Sequence, residues 1–169
     1  MKTKIFVCSL FLVTTFSNTG FRHKSDTQMK PRITVLTIGV DNLEKSYEFY
    51  HNGLGLPSKG IVGKEFEHGA SAFFELQNGI TLALYPRRPL ALDAAIPVSA
   101  PSATEFSIGQ NVRSKSAVDS TMDLAKKAGA KITEHARERF WGGYSGYFQD
   151  PDGHLWEVVF NPNMIPADE

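Results

Sequence analysis

The sequence predicts an α+β fold: two copies of one strand–helix–strands unit forming a curved, open mixed sheet around a shared cleft, with helices outside. Three observations carry that expectation. A run rich in Val and Ile at 32–40 and the strand-like run "EFSIGQNV" at 105–112 each precede a stretch with helical spacing of apolar residues. Each half then closes on two apolar runs around an Asx-Gly pair, Asn78-Gly79 and Asp152-Gly153, the composition of a tight hairpin turn. The halves also keep step, since Val40 to Val112 is an offset of 72 and Asn78-Gly79 to Asp152-Gly153 one of 74. A spacing held this closely points to internal duplication.

Residues 32–40 open the first half as a strand with Gly39 near its end. Asp41 is expected to cap the following helix with Glu44 as its reciprocal partner, and Leu43, Tyr47, Tyr50 and Leu54 fall at helical spacing. "NGLGLP" stops that helix, and "SAFFELQNGITLALYP" supplies the hairpin. Prolines at 86, 89, 97 and 101 mark 86–101 as a linker without regular structure. In the second half "EFSIGQNV" reads as a strand, and Ser116 with Asp119 is expected to cap a helix carrying Val118, Met122 and Ala125. Gly129 ends it, and "GYFQDPDGHLWEVVF" is the closing hairpin.

A chain of 169 residues with 41% hydrophobic and 21% charged content builds one domain with a real core, or two small modules sharing one. Formal net charge is zero, which favours neither nucleic acid nor an anionic membrane. Residues 1–28 carry Lys2, Lys4, Arg22 and Lys24 against Asp26, so the remainder is mildly acidic. Two readings of this segment stand side by side. A basic start followed by an apolar run from Ile5 to Phe16 has the layout of a secretory signal, which implies export. Met29 begins "MKPRITVLTIGV", a natural domain start, which makes 1–28 an upstream extension and the protein cytoplasmic. The apolar run is short of the roughly 20 residues a membrane span needs, so no stable anchor is expected. Cys8 is the sole cysteine and lies in this segment, which excludes an intrachain disulfide.

The segments "ITVLTIGVDNLEKSYEFYHNGLGLP" and "GYFQDPDGHLWEVVFNP" resemble the opening and closing parts of the glyoxalase, bleomycin-resistance and extradiol-dioxygenase group, the vicinal oxygen chelate superfamily. The likeness covers about 31–162. It implies two βαβββ modules, 31–86 and 104–162, joined by a Pro/Ala-rich linker, 87–103, and followed by a tail, 163–169. Homodimers are usual in that family and are expected here. Its metal-dependent members place ligands on the first and last strand of each module. Those positions fall on Val35, Ala83, Ser107 and Glu157, and of the four only Glu157 is a good donor. No metal or other cofactor is therefore expected.

The histidines offer no substitute. His51 reads as a helix-end cation, His154 as a surface turn residue, and His68 and His135 lack a second donor at ligand spacing. Glu105 shares strand parity with Ser107 and either faces the cleft beside Glu157 or faces water. Glu157 itself is the candidate catalytic or ligand-orienting carboxylate. "RERFWGGYSGYF", residues 137–148, combines Phe140, Trp141, Tyr144, Tyr147 and two arginines with three glycines, a composition that suits a lid over a planar ligand or a plug in the barrel mouth. The expected ligand-binding set is Val35, Thr37, Ala83, Tyr85, Glu105, Ser107, Phe140, Trp141, Tyr144 and Glu157.

Three function classes follow. A metal-independent binder of a small apolar or aromatic molecule, of the bleomycin-resistance type, fits the missing donors and the aromatic loop. A lyase or isomerase of the lactoylglutathione lyase type would use a metal or a carboxylate base. A protein-interaction module would use sheet edges or module faces. No Gly-rich phosphate loop, Ser/His/Asp pattern or Cys/His cluster appears.

Overall fold

A computed structural model describes residues 33–104, 106–164 and 166. The leader and Glu105 lie outside these described residues. Two four-stranded mixed sheets with three helices make an α+β fold in which the sheets stay open and do not close into a barrel. Strand β1 (Val35–Val40) leads into helix α1 (Leu43–Glu48), which continues as a π-helical turn, Phe49–Gly53. Strands β2 (Ser58–Val62), β3 (Ser71–Glu75) and β4 (Thr81–Pro86) complete the first sheet in the order β1-β4-β3-β2. Helix α2 (Arg87–Asp93) follows, then β5 (Ser107–Asn111) and α3 (Lys115–Ala128). Strands β6 (Lys131–Glu138), β7 (Tyr144–Gln149) and β8 (Leu155–Phe160) give the second sheet, ordered β5-β8-β7-β6.

The duplication persists in the hydrogen-bond register. Strand β1 pairs parallel to β4 with Val35 opposite Thr81 and Thr37 opposite Ala83. Strand β5 pairs parallel to β8 with Ser107 opposite Leu155 and Gly109 opposite Glu157. Both sets of partners are related by the offsets of 72 and 74 read from the sequence.

Alternation along each strand separates a core face from an open face. Ile38, Val40, Leu82, Leu84 and Phe74 of the first sheet join Phe148, Trp156 and Val158 of the second in one buried cluster with Tyr50, Val118, Met122 and Ala125 from the helical segments. The Tyr50 ring lies 5.8 Å from Phe74 and 5.9 Å from Trp156, and Phe148 stacks on Trp156 at 5.9 Å. One core thus spans both modules. Gly53 is required at its closest approach, where an added Cβ would come within 2.6 Å of Ala128 Cβ.

Several local expectations need correction. Asn42, not Asp41, caps α1 by accepting from Lys45 N at 2.8 Å, because the Asp41 carboxylate instead receives Arg87 Nε. Ser114, not Ser116, caps α3 by accepting from Ala117 N at 3.1 Å. The linker contains helix α2. Pro86 precedes it and Pro89 sits in its first turn, where no intrahelical donor is missing. The aromatic segment is no long loop: Arg137 and Glu138 end β6, Tyr144–Phe148 belong to β7, and only 139–143 connect them.

His154 is not a surface residue. It is 9% exposed, and its Nδ1 lies 2.8 Å from Asp150 Oδ2. The same oxygen accepts from Tyr50 Oη at 2.6 Å, while Trp156 Nε1 donates to Tyr50 Oη at 3.2 Å. Asp152 Oδ1 accepts from Asp41 N at 2.7 Å, and its Oδ2 accepts from Ser46 Oγ. The Asp-Pro-Asp-Gly-His turn between β7 and β8 is therefore a clasp that ties the second module to α1 and its π-helical extension. Burial, then the Asp150 charge, raises the Tyr50 pKa well above its usual value.

Candidate functional site

Glu157 points to the open face of the second sheet from β8, half-buried between Gly109 on β5 and Tyr147 on β7. Gly109 leaves space on one flank, since a Cβ there would meet nothing within 4 Å. On the other flank the Tyr147 hydroxyl donates to Glu157. Partial burial first, and this bond second, push the Tyr147 pKa up to about 12.

Register shifts in β6 bring Glu134 opposite Tyr147 and Arg137 opposite Ser145. Arg137 Nε donates to Glu134 Oε1, which holds the Glu134 carboxyl below its usual range. Arg139 is pinned beneath the turn: Nε donates to Ser145 Oγ and Nη2 to Ser145 O, each at 2.8 Å, with the guanidinium 5.4 Å from the Tyr147 ring. Both arginines of the aromatic segment are thus engaged within the second sheet.

The connection 139–143 closes by Gly142 N donating to Arg139 O at 2.9 Å and Arg139 N donating to Gly143 O at 2.8 Å. Gly142 sits at φ 91°, a left-handed conformation that suits glycine. The Trp141 indole folds back over Gly143, so a Cβ on Gly143 would lie 1.7 Å from the ring. Trp141 is 41% exposed. With Arg137, Arg139, Phe140, Tyr147 and Glu157 it encloses a recess of about 350 Å³.

The structure gathers only part of the expected set. Glu157, Trp141 and Phe140 share this recess, although Phe140 is fully exposed. Val35 and Thr37 are exposed on the open face of the first sheet, Ala83 beside Thr37 is only 3% exposed, and Ser107 is exposed on β5. Tyr85 is taken up by structure, its hydroxyl 2.8 Å from both His68 O and Asp93 Oδ2. Tyr144 belongs to the opposite face: it pairs with Phe160, and its hydroxyl donates to Asp119 on α3 at 2.9 Å, so it does not share the Glu157 recess. Glu105 lies outside the described residues. Sequence reading missed Tyr147 as the partner of Glu157, although an alternation count from the hairpin turn would have placed both on one face.

The four ligand positions implied by resemblance do not fit a divalent ion. Val35 and Ala83 offer no donor atom, Ser107 offers a neutral hydroxyl, and Glu157 is already a hydrogen-bond acceptor for Tyr147. Among the described residues no three His, Cys, Asp or Glu side chains group as metal ligands.

An open pair of βαβββ sheets with this lining defines a class, and the comparisons agree with it. The chain belongs to the glyoxalase/bleomycin resistance protein/dioxygenase superfamily, whose family model matches residues 32–158. It is similar to a glyoxalase-related enzyme from Fulvimarina pelagi, at 31% identity over 82% of this chain and 95% of that one, with a TM-score of 0.70. A glyoxalase/bleomycin resistance protein/dioxygenase from Nocardioides shares the fold at 24% identity, 85% and 93% coverage and a TM-score of 0.66. So does a lactoylglutathione lyase from Agrobacterium tumefaciens, at 21% identity, 79% and 96% coverage and a TM-score of 0.56. No curated protein matches the chain.

Proposed function

We propose that this protein binds a small planar, apolar or aromatic molecule in the recess beside Glu157, without a catalytic metal. The observation that carries the reading is the recess itself. Trp141 and Tyr147 supply ring faces, Gly109 leaves lateral space, and Glu157 is a single acceptor that orients a donor group or cation on the ligand. The competing reading is a lyase in which Glu157 ligates a metal or abstracts a proton; it draws support from the lyase of Agrobacterium tumefaciens sharing the fold.

Elemental analysis after incubation with zinc, nickel, manganese and iron separates the two. The expected result is no stoichiometric ion and no turnover of the hemithioacetal of methylglyoxal and glutathione. One equivalent of retained metal, lost on Glu157→Ala, sinks the metal-free reading. In a Trp156→Phe background, planar aromatic amines should quench or shift Trp141 emission saturably, and Glu157→Gln should weaken that effect. Unchanged emission across the series returns Trp141 to a purely structural role.

A further inference from the structure

The clasp that joins the modules also fixes which nitrogen of His154 carries hydrogen. Asp150 Oδ1 accepts from the backbone N–H groups of Asp152 and His154 at 3.0 and 2.8 Å, and Oδ2 stands 2.6 Å from Tyr50 Oη and 2.8 Å from His154 Nδ1. Tyr50 Oη takes a hydrogen bond from Trp156 Nε1, so its own proton goes to Asp150. A carboxylate met by donors on both oxygens can only accept from the imidazole, which places the ring hydrogen on Nδ1. In the neutral ring Nε2 is then a bare lone pair. It accepts a hydrogen bond and cannot give one.

The side chain of His154 is more than nine-tenths buried, yet Nε2 has no partner among the described residues. It is not sealed off either, because Arg87 Nη2 is the sole unpartnered side-chain nitrogen or oxygen that those residues bury completely. His154 lines a second cavity, of about 230 Å³, that shares no residue with the Glu157 recess. Leu90, Ile96 and Val98 make one wall and Phe106 the other, its ring 6.5 Å from the imidazole. Arg87 also borders the cavity, but its charge is matched by Asp41, 2.8 Å from Nε. The volume falls below that of sites for drug-sized ligands and suits a single small ring.

We propose that this cavity binds a small uncharged aromatic hydroxyl compound, the hydroxyl donating to His154 Nε2 and the ring lying against Phe106 and Leu90. An apolar enclosure with one buried acceptor selects for a guest with one donor, since a ring without it leaves the lone pair unmet. Nothing in this contact calls on Arg87 Nη2 or on a charged imidazole.

Phenol is the probe and anisole, its methyl ether, the ring without a donor. Calorimetric titration of the full chain at about pH 8 keeps phenol un-ionised and a free imidazole neutral. Saturable one-to-one binding of phenol is expected. His154→Asn puts an amide nitrogen where Nδ1 stands, so Asp150 keeps its donor while Nε2 is lost. The ratio of phenol to anisole affinity should then fall about three- to tenfold, the scale of one neutral hydrogen bond. Phe106→Ala should weaken both compounds alike. If His154→Asn does not fold, nitrogen-15 spectra of the unaltered protein decide: His154 Nε2 should resonate as an unprotonated nitrogen and shift with phenol but not with anisole. No saturable phenol binding, an unchanged ratio in folded His154→Asn, or hydrogen found on Nε2 each overturns the proposal. Phenol that quenches Trp141, weakens with Glu157→Gln and ignores Phe106→Ala sits in the other recess, which also overturns it.

Discussion

Asp152→Ala is the sharpest test of how the two modules hold together. The substitution removes two bonds, from Asp41 N at 2.7 Å and from Ser46 Oγ. Hydrogen bonds to a charged acceptor contribute about 1.5–3 kcal/mol each. Ser46 is 1% exposed and cannot turn to water, but its hydroxyl also reaches Asn42 O at 2.8 Å, so that donor is not stranded. The expected cost is therefore near the lower end, about 3 kcal/mol in all. For a domain of this size that lowers the melting temperature by about 10 °C. Asp152→Asn provides the contrast. Its Oδ1 still accepts from Asp41 N, and its amide can donate to Ser46 Oγ while the Ser46 proton turns to Asn42 O. That variant should lose about 1 kcal/mol. Urea unfolding followed by circular dichroism, with calorimetry, measures both. An alanine variant within about 1 kcal/mol of the unaltered protein, or an asparagine variant as unstable as alanine, would refute the clasp.

Tyr50→Phe leaves Trp156 Nε1 buried without its acceptor and should cost about 1–3 kcal/mol by urea unfolding. Because the folded-state pKa of Tyr50 is raised, its contribution is complete below the ordinary tyrosine value, about 10, and disappears as pH climbs from there toward the folded value. Stability of the unaltered protein should fall in that alkaline window, and Tyr50→Phe should flatten the fall; parallel profiles would contradict this. Glu157→Gln removes one cause of the Tyr147 shift, so ultraviolet difference titration against a Tyr147→Phe background should find Tyr147 ionising below about 12 but still above its usual value, because burial is the larger cause. Gly143→Ala must expel the Trp141 ring, giving red-shifted emission with little change in melting temperature. An unshifted spectrum means that the indole does not rest on Gly143.

The first strand of each module, the hairpins and the repeat were legible because alternation and Asx-Gly turns act locally, whereas β2 and β6 carry no such signal and were not read. Cap positions were off by one or two residues where adjacent candidates compete. Asp41 and Asn42 are equally good caps by type, and the distant Arg87 decides between them. Helix α2 was hidden because prolines were taken as breakers at positions where a helix tolerates them. The carboxylate on the open face could be read from Glu157 alone, since Val35 and Ala83 lack donor atoms and Ser107 offers only a neutral hydroxyl. Tyr144 was misplaced because loop composition obscured the start of β7, and a strand that begins there sends Tyr144 and Tyr147 to opposite faces. The clasp was unreadable for a different reason. Asp150, Asp152 and His154 look like turn residues, and only the approach of Tyr50 and Ser46, about a hundred positions away in the chain, buries them.

The shared register of the two sheets sets matched positions side by side for comparison. Here the matched positions differ in kind: Thr37 stands beside Ala83, while Gly109 stands beside Glu157. The first half presents Thr37 beside a covered Ala83, and the second a carboxylate with room next to it. Divergence between two copies of one unit has thus left the two open faces chemically unlike, on frames whose pairing is the same.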